Sequence, residues 1–465
     1  MSESGRAYPV SQLLVPTITL GEHSFTPCKY LWAYEQSPNK IYLANLLNHA
    51  ALALTRAEFM CLKKGSEQPH CTTSFAATEL LETLLEYQFL IEEGAPDETA
   101  LLKERFEVSL KEAFNFGITF GLTLKCNFRC TYCYQNPTMS RMSVSTLSRL
   151  QKHFLKRLGT FRKFGAVWFG GEPLLHIRQI SSMSRFMITE CDRRGVPYSA
   201  DIVTNGYLLT EDVVAELERC RVTELQVTLD GTEEAHNKTR HLRNGGGTYR
   251  RIIDNLRTVG NHMQTVRIRV NVSDQREEDL LSLVDTVSGL GCKVLLYLIP
   301  VHNFVRNGAG RLDEHHYLNY KQWLSCVESV EQHALARRIQ VLTTRHRAGL
   351  PYCNGYARNC LIVDPEANVY FCVGDIGIPE KRAGFLNEHG DLVLDSGSQY
   401  TGSPNPFQIA QCAECNLLPL CMGGCFNLPI EDAKENGRCM MRELFPMNLA
   451  RAFELGIHDP VGSST

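Results

Sequence analysis

The sequence predicts an α/β fold built around an incomplete parallel barrel of six strand–helix units. Between about residues 117 and 300, strand-like runs alternate with amphipathic helical stretches. The runs are rich in Val, Ile and Leu, as strands of a parallel sheet covered on both faces are. Six such units are two short of a closed eight-stranded barrel.

The six predicted strands cover residues 118–125, 165–171, 199–206, 224–231, 265–273 and 292–300. The intervening segments carry helix-end signals. Residues 144–159 end in basic residues and glycine, and residues 209–220 open with acidic ones. Binding sites in such sheets lie at the carboxyl ends of the strands, so the residues that follow each strand are the candidates for function.

A cysteine triplet follows the first predicted strand. Cys126, Cys130 and Cys133 form a C-x3-C-x2-C pattern, with Tyr132 beside the last cysteine. A closed four-iron cluster normally takes four cysteines, so three thiolates would leave one iron open for an exogenous ligand. A zinc site or a disulfide is the alternative. Three cysteines in eight residues with no nearby fourth ligand suit zinc poorly.

The other cysteines fall into two classes. Eight lie in the last quarter of the chain and make two complete sets of four, as closed clusters need, although a zinc ribbon is an alternative; these are Cys353, Cys360, Cys372, Cys412, Cys415, Cys421, Cys425 and Cys439. Seven show no ligand spacing and are predicted to be buried small apolar side chains; these are Cys28, Cys61, Cys71, Cys191, Cys220, Cys292 and Cys326.

Composition limits the partners and the location. The net charge of −3 gives no sign of a nucleic-acid or anionic-membrane partner. No run of eighteen apolar residues predicts a membrane helix, and the first twelve residues lack the pattern of a secretory signal. Reduced thiols and oxygen-labile clusters predict a cytoplasmic protein.

The triplet, the preceding GITFGLTLK and the run Gly170-Gly171-Glu172-Pro173 one unit later together resemble the signature of radical S-adenosylmethionine (SAM) enzymes. The resemblance implies a partial (β/α)6 barrel with a 4Fe-4S cluster after the first strand. It also implies that SAM binds the open iron. One electron then cleaves SAM to methionine and a 5′-deoxyadenosyl radical, which takes a hydrogen atom from the substrate.

The same resemblance implies a set of SAM-contacting residues. The Gly-Gly-Glu-Pro run would face the amino group, and later strand ends would face the ribose and carboxylate. A run from His236 through Asn237 to Arg240 resembles a family motif but has Asn in place of an acid, so helix capping remains an alternative. The implied contacts are Tyr132, Gly170, Gly171, Glu172, Pro173, Thr204, Asn205, Thr228, Asp230 and Arg240.

The loop-rich residues 353–442 resemble the SPASM extension, which holds two auxiliary 4Fe-4S clusters. Matching spacing implies that Cys353, Cys360, Cys372 and Cys425 hold the first, and that Cys412, Cys415, Cys421 and Cys439 hold the second. Ala367 stands where the family commonly has glycine. With the barrel cluster, three 4Fe-4S clusters are expected.

The first 115 residues predict paired strands (41–47 and 51–55), a helix opened by the capping box of Thr55 and Glu58, a second helix and a closing strand. This order weakly resembles the winged-helix element through which many peptide maturases bind a leader peptide as an added strand. Residues 74–115 hold ten acidic against three basic residues, which opposes DNA binding. A structural or dimerisation domain is the alternative.

The expected domains are therefore 1–115 (winged-helix-like α+β), 116–300 (barrel), 301–350 (helical connector), 351–445 (SPASM) and 446–465 (tail). The leading hypothesis is a maturase that oxidatively modifies or crosslinks a ribosomally made precursor peptide, with a flavodoxin- or ferredoxin-type electron donor. The alternatives are a sulfatase-type maturase forming formylglycine, a small-molecule dehydrogenase and a non-enzymatic iron–sulfur sensor. Sulfatase maturases have an aspartate directly after the cysteine matching Cys372; here Val373 takes that place, and Asp375 is the nearest candidate acid.

Overall fold

A computed structural model describes residues 7–9, 18–20, 23–64, 78–111, 115–135, 137, 141–259, 262–263, 265–273, 275–301, 320–342, 359–396 and 405–424. The chain divides into two compact units. The first combines residues 1–111, 345–353 and 404–465, and the second combines residues 112–344 and 354–403. Cys61, Cys71, Cys353, Cys425 and Cys439 lie outside the described side chains.

The first unit begins with two antiparallel sheets. One has the strand order β1 (Ala7–Pro9), β4 (Leu31–Ser37), β5 (Lys40–Asn45) and β6 (Ala51–Leu54). The other has the order β2 (Ile18–Leu20), β3 (His23–Pro27) and β7 (Leu90–Glu92). Three helices accompany them: α1 (Arg56–Lys64), α2 (Thr78–Glu86) and α3 (Glu98–Lys111).

The predicted N-terminal strand pair and capping box are confirmed. Strands β5 and β6 pair antiparallel. The Thr55 amide donates to the Glu58 carboxylate at 2.6 Å, and the Glu58 amide donates back to the Thr55 hydroxyl at 3.3 Å. Strands β1 to β4 and helix α3 were not predicted. The closing strand β7 pairs with the unpredicted strand β3, so it belongs to a separate sheet.

The second unit contains an eleven-stranded sheet, whose strands are numbered β8 to β18 along the chain. Its six central strands are parallel to their neighbours and follow chain order, which confirms the predicted six-strand parallel sheet. They are β8 (Asn115–Gly121), β9 (Lys163–Phe169), β10 (Tyr198–Thr204), β11 (Val222–Thr228), β12 (Thr265–Val272) and β13 (Lys293–Pro300).

Helices connect these strands: α4 (Val144–Arg157), α5 (Ile177–Arg193), α6 (Glu211–Arg219), α7 (Glu233–Thr239), α8 (Tyr249–Val259) and α9 (Glu277–Ser288). Helix α10 (Tyr320–Ala336) lies in the predicted connector. It leads to β14 (Gln340–Val341), an unpredicted parallel strand beside β13.

The core of this unit lies between the sheet and its helices. Phe120 stacks on Trp168 with ring centroids 4.6 Å apart, and Phe154 meets Phe164 edge to face. Of the cysteines predicted to be buried, Cys28, Cys191 and Cys220 have at most 1% of their surface exposed. Cys292 and Cys326 are only half-buried.

The last strands of this unit extend the barrel sheet on its β8 side. They are β15 (Cys360–Val363), β16 (Asn368–Tyr370), β17 (Gly384–Leu386) and β18 (Leu392–Leu394). Strand β15 runs parallel to β8, and β16 to β18 follow as an antiparallel meander.

Helix α4 fastens this extension to the barrel. Thr146 Oγ1 donates to the Pro365 carbonyl at 2.9 Å, and His153 Nδ1 lies 2.9 Å from the Gly390 carbonyl. Ala367, the residue at the usual glycine position, has φ +70°. The left-handed backbone explains why glycine is common there, because glycine adopts it without a steric cost.

Residues 405–424 belong to the first unit and contain two single-turn helices, α11 (Ala410–Ala413) and α12 (Leu418–Cys421). None of the helices in the described ranges is long and apolar enough to span a bilayer.

Candidate active site

A cavity of about 900 Å³ opens at the carboxyl end of the parallel strands. Its volume lies in the range of small-molecule and cofactor sites. The structure brings ten of the residues singled out by the sequence to its wall: Cys126, Cys130, Tyr132, Cys133, Gly170, Gly171, Thr204, Asn205, Thr228 and Arg240.

The glycine pair after β9 packs against the loop that leads into the cysteine triplet. A Cβ on Gly170 would lie 2.2 Å from the Thr123 carbonyl oxygen, and one on Gly171 would lie 2.4 Å from the Lys125 carbonyl oxygen. The Gly171 amide donates to the Thr123 carbonyl at 2.8 Å. The pair is therefore needed for two loops to touch, in addition to lining the cavity.

Glu172 and Pro173 do not line the cavity. The Glu172 carboxylate is fully buried and accepts hydrogen bonds from the Leu174 amide (3.0 Å), the Thr204 hydroxyl (2.7 Å) and the Asn205 amide (2.7 Å). Burial raises the pKa of Glu172, and these three donors oppose that rise. The carboxylate thus links the carboxyl ends of β9 and β10 by hydrogen bonds, on the side away from the cavity.

Tyr132 is the centre of a hydrogen-bond network that joins the cysteine loop to β11 and β12. Its hydroxyl donates to Asp230 and accepts from Arg240 (2.7 Å) and from the Asn271 amide nitrogen Nδ2 (3.1 Å). The second Asp230 oxygen accepts from the backbone amide of Asn271 at 2.8 Å. Because Asp230 is fully buried and outside the cavity wall, its role in this structure is to hold Tyr132 and Asn271.

The residues of the motif-like run from His236 to Arg240 have separate structural roles. Asn237 accepts from the amides of Thr248 (2.8 Å) and Tyr249 (3.1 Å) with its side-chain oxygen, so it caps α8 as the capping alternative predicted. His236 is buried and lies 3.0 Å from the Thr248 hydroxyl. Arg240 alone reaches the cavity, with its guanidinium 5.8 Å from the centre of the Phe128 ring.

The triplet has the hydrogen-bonding surroundings that thiolate ligands need. The Phe128 amide donates to Cys126 Sγ at 3.3 Å, and such bonds favour the charged form of the sulfur. Burial raises the pKa of Cys126 to about 12, with Glu172 adding to the rise, and burial raises that of Cys130 to about 11. The bare thiols are therefore neutral at pH 7, and a bound metal would be needed to deprotonate them.

The charge of the cavity wall is positive. Four arginines line it and none of the described lining residues is acidic; the arginines are Arg129, Arg240, Arg243 and Arg269. Positive side chains around three thiolates balance the charge that the thiolates would introduce. The residues present thus fit an iron–sulfur cluster held by three cysteines with an anionic ligand group beside it.

Two of the C-terminal cysteines flank the hairpin of β15 and β16. Strands β15 and β16 pair Ile362 with Tyr370 and Val363 with Val369. Cys360 begins β15, and Cys372 follows the end of β16 by two residues. The Gly374 amide donates to Cys372 Sγ at 3.3 Å, which repeats the arrangement at Cys126.

The second group of cysteines lies in a compact turn. The Cys415 amide donates to the Cys412 carbonyl at 3.0 Å, and Cys421 ends helix α12. Asp375 lies in a single 3-10 turn, Val373–Asp375, and is not among the residues that line the cavity. Within the described ranges, the triplet included, no three His, Cys, Asp or Glu side chains lie close enough together for a single metal ion. The triplet cysteines instead share the wall of the cavity, which has room for a larger group.

Sequence reasoning missed three residues of the site. Asn271 completes the Tyr132 network, Arg269 lines the cavity, and Tyr134 lines it beside the triplet. Burial raises the pKa of Tyr134, and Cys133 and Cys372 add to the rise. The sequence contains one indication of Asn271, because it is a polar residue near the carboxyl end of a strand rich in apolar residues.

Known proteins resemble this chain in sequence and in fold. Residues 121–287 match the model of the radical SAM superfamily. A serine-type anaerobic sulfatase-maturating enzyme of Klebsiella aerogenes is 23% identical over 318 residues, which cover 64% of this chain and 76% of that protein. The mycofactocin maturase MftC of Mycolicibacterium smegmatis is 24% identical over 345 residues, which cover 70% and 81%.

The fold is also similar to a solved structure, native anSMEcpe with bound AdoMet and the Kp18Cys peptide. The TM-score is 0.53 at 16% identity, over 67% of this chain and 90% of that one. At this identity the similarity concerns the fold alone.

Proposed function

We propose that this chain is a radical SAM enzyme, a maturase that uses SAM to modify a peptide, because residues 121–287 match the model of the radical SAM superfamily. The observation that carries the proposal is the convergence on one cavity of Cys126, Cys130 and Cys133 with the glycine pair and the polar strand ends. Bound SAM and its iron–sulfur cluster would supply one-electron, hydrogen-abstracting chemistry.

The residues of the chain would bind and orient these groups. The three cysteines would hold the cluster. The backbone at Gly170 and Gly171, with Thr228 and Arg240, would contact SAM. The Asn205 side chain lies 2.8 Å from Asn127 Oδ1 and 3.7 Å from Cys126 Sγ, so it would fix the first cysteine of the triplet relative to β10.

Two maturase readings are supported equally by the comparisons: a crosslinking peptide maturase and a sulfatase-type maturase. The relatives include a sulfatase-maturating enzyme and a mycofactocin maturase. The sequence favours the crosslinking maturase over the sulfatase-type maturase, because Val373 stands at the position where sulfatase maturases have aspartate. In the structure Val373 is exposed and Asp375 is half-buried. We therefore leave the choice to the substrate test below.

We further propose the SPASM assignment with two auxiliary clusters. It is supported by the turn that joins Cys412 to Cys415 and by the backbone donor to the Cys372 sulfur. Oxidative modification leaves an electron to remove, and two closed clusters would accept it. A flavodoxin- or ferredoxin-type protein would supply the reducing electron.

The N-terminal sheets would bind the leader segment of the precursor peptide. Among the described strands, β6 and β7 each end a sheet, and an edge strand can pair with an added peptide strand. Proline within the paired stretch of the leader should abolish binding, because proline removes a ladder donor. Titration of the full-length protein with the leader and with its proline variant measures this.

The central test is SAM cleavage by anaerobically reconstituted protein. Alanine at Cys126, Cys130 or Cys133 should abolish 5′-deoxyadenosine formation under dithionite, whereas Cys191→Ala should retain it, because Cys191 lies buried away from the cavity. The wild type should bind about twelve irons and a triplet variant about eight. Deoxyadenosine from a triplet variant that lacks its cluster would end the assignment.

The substrate test uses mass spectrometry of two candidates. If the protein crosslinks peptides, the mass of a precursor peptide encoded beside the gene should fall by that of the hydrogen atoms removed. If it is a sulfatase-type maturase, the Cys or Ser of a sulfatase-derived peptide should be converted to formylglycine. Modification of only the second candidate would establish the sulfatase-type reading.

A further inference from the structure

Lys29 connects the N-terminal sheets to the segment that carries Cys412 and Cys415. Its ammonium group donates to the Ala413 carbonyl at 3.1 Å, between the two cysteines. The side chain of Asn416, the residue after Cys415, donates back to the Lys29 carbonyl at 2.9 Å. One residue thus holds the C-x2-C loop at both of its ends.

The other polar groups of Lys29 are fixed within the N-terminal part. Its backbone amide donates to Glu98 Oε2 at 2.8 Å, and its ammonium group also donates to Thr99 Oγ1 at 3.1 Å. Glu98 accepts from the buried Cys28 thiol at 2.6 Å through its other oxygen. Helix α3 therefore anchors the turn from which Lys29 extends.

Apolar packing supports the same contact. The rings of Phe106 on α3 and Phe407 lie 5.9 Å apart. Leu417, Leu418 and Met422, which flank the cysteine loop, have at most 3% of their surface exposed. The segment is thus held by a core contact as well as by Lys29.

We propose that Lys29 is a positioning residue for the second auxiliary cluster, because it holds the loop that carries Cys412 and Cys415. This rests on the proposed function, which assigns Cys412, Cys415, Cys421 and Cys439 to the cluster. The N-terminal domain is then a structural part of the cluster site, in addition to any role in peptide binding.

A carboxylate of the same loop accompanies the Lys29 charge. Glu414 Oε2 lies 3.8 Å from the Lys29 ammonium group, and the Glu414 side chain is 83% exposed. Because such an exposed ion pair stabilises little, the hydrogen bonds to Ala413 and from Asn416 are what hold the loop.

One consequence concerns deletion of the N-terminal domain. Removing residues 1–111 removes Lys29, Glu98 and Phe106 together, so the second cluster should be lost along with any leader site. Loss of peptide modification after this deletion therefore does not by itself demonstrate leader binding. Point variants are needed to separate the two roles.

The test uses full-length protein carrying alanine at Cys126, Cys130 and Cys133, so that only auxiliary clusters contribute. Lys29→Met keeps the length of the side chain without its donors or charge, and Lys29→Arg keeps the charge. Lys40→Met is the control, since Lys40 is an exposed lysine of the same domain. Iron content and an EPR-monitored redox titration are measured for each.

Lys29→Met should lose about four irons, or keep them with a shifted midpoint potential, while Lys29→Arg and Lys40→Met match the parent. Unchanged iron and potential in Lys29→Met would overturn this inference alone. A parent that holds fewer than two auxiliary clusters would overturn the cluster assignment and this inference together. If Lys29→Met does not fold, Lys29→Gln is judged by the same criteria.

Discussion

Adding a methyl group at Gly170 or Gly171 should displace the loop that delivers the cysteine triplet. Both glycines touch that loop through backbone oxygen atoms, which cannot move aside as a flexible side chain can. A Cβ at Gly170 would meet the Thr123 carbonyl oxygen at 2.2 Å, and one at Gly171 would meet the Lys125 carbonyl oxygen at 2.4 Å.

The expected cost combines two separable effects. Overlap in a packed site costs about 1–3 kcal/mol. A non-glycine residue at strongly positive φ costs about 1–3 kcal/mol in addition. Gly170 has φ +134° and would incur both, whereas Gly171 has no positive φ and would incur the overlap alone. Gly170→Ala should therefore lose about 2–6 kcal/mol and Gly171→Ala about 1–3 kcal/mol.

The chain supplies both matched controls. Gly159 has φ +110° and nothing within 4 Å of its Cβ position, so Gly159→Ala measures the backbone effect alone. Gly165 has neither a positive φ nor a neighbour within 4 Å, so Gly165→Ala sets the baseline.

Denaturant unfolding of the four variants gives the free energies, and iron content with deoxyadenosine formation gives the effect on the triplet. Gly170→Ala and Gly171→Ala should lose iron that both controls retain. If all four variants matched Gly165→Ala in stability and iron, the loop contact would not position the triplet and the reasoning would be wrong.

Three further predictions concern other parts of the second unit. Tyr132→Phe should lower the free energy of unfolding by about 1–3 kcal/mol, because Asp230 and Asn271 lose their shared hydroxyl; denaturant unfolding that matches the wild type would contradict this. Burial lowers the pKa of His153 below its usual 6.5, so the unfolded state binds the proton first and stability should fall as pH drops below about 6.5. His153→Phe should remove that component of the pH dependence, and an unchanged slope would exclude it. Ala367→Gly should cost less stability than Ala383→Gly, since both are buried and only Ala367 has a positive φ; equal losses in melting experiments would refute the strain at Ala367.

The local motifs could be read from the sequence because their information lies within a few residues. The spacing of Cys126, Cys130 and Cys133 and the capping box of Thr55 are set by short stretches of backbone. The six parallel strands follow from alternating strand and helix patterns. The rule that sites lie at the carboxyl ends of parallel strands predicts Thr204, Asn205 and Thr228 at one site.

Only the tertiary structure decided which predicted residues reach the cavity. Asp230 and Glu172 follow their strands as expected. Their carboxylates do not face the cavity, because they accept hydrogen bonds from Tyr132, Asn271 and Asn205. Such partners lie 33 to 98 residues apart in the chain. Their meeting depends on the register and twist of several strands, which no short window of sequence contains.

The same reason explains the late cysteines. The triplet is ordered by its own loop, whereas the Cys412 loop is held by Lys29, which is 384 residues from Ala413. The sequence by itself determined the ligand types and their local spacing. The tertiary structure determined the neighbours of each ligand, because long-range packing brings together groups whose separation in the chain carries no signal.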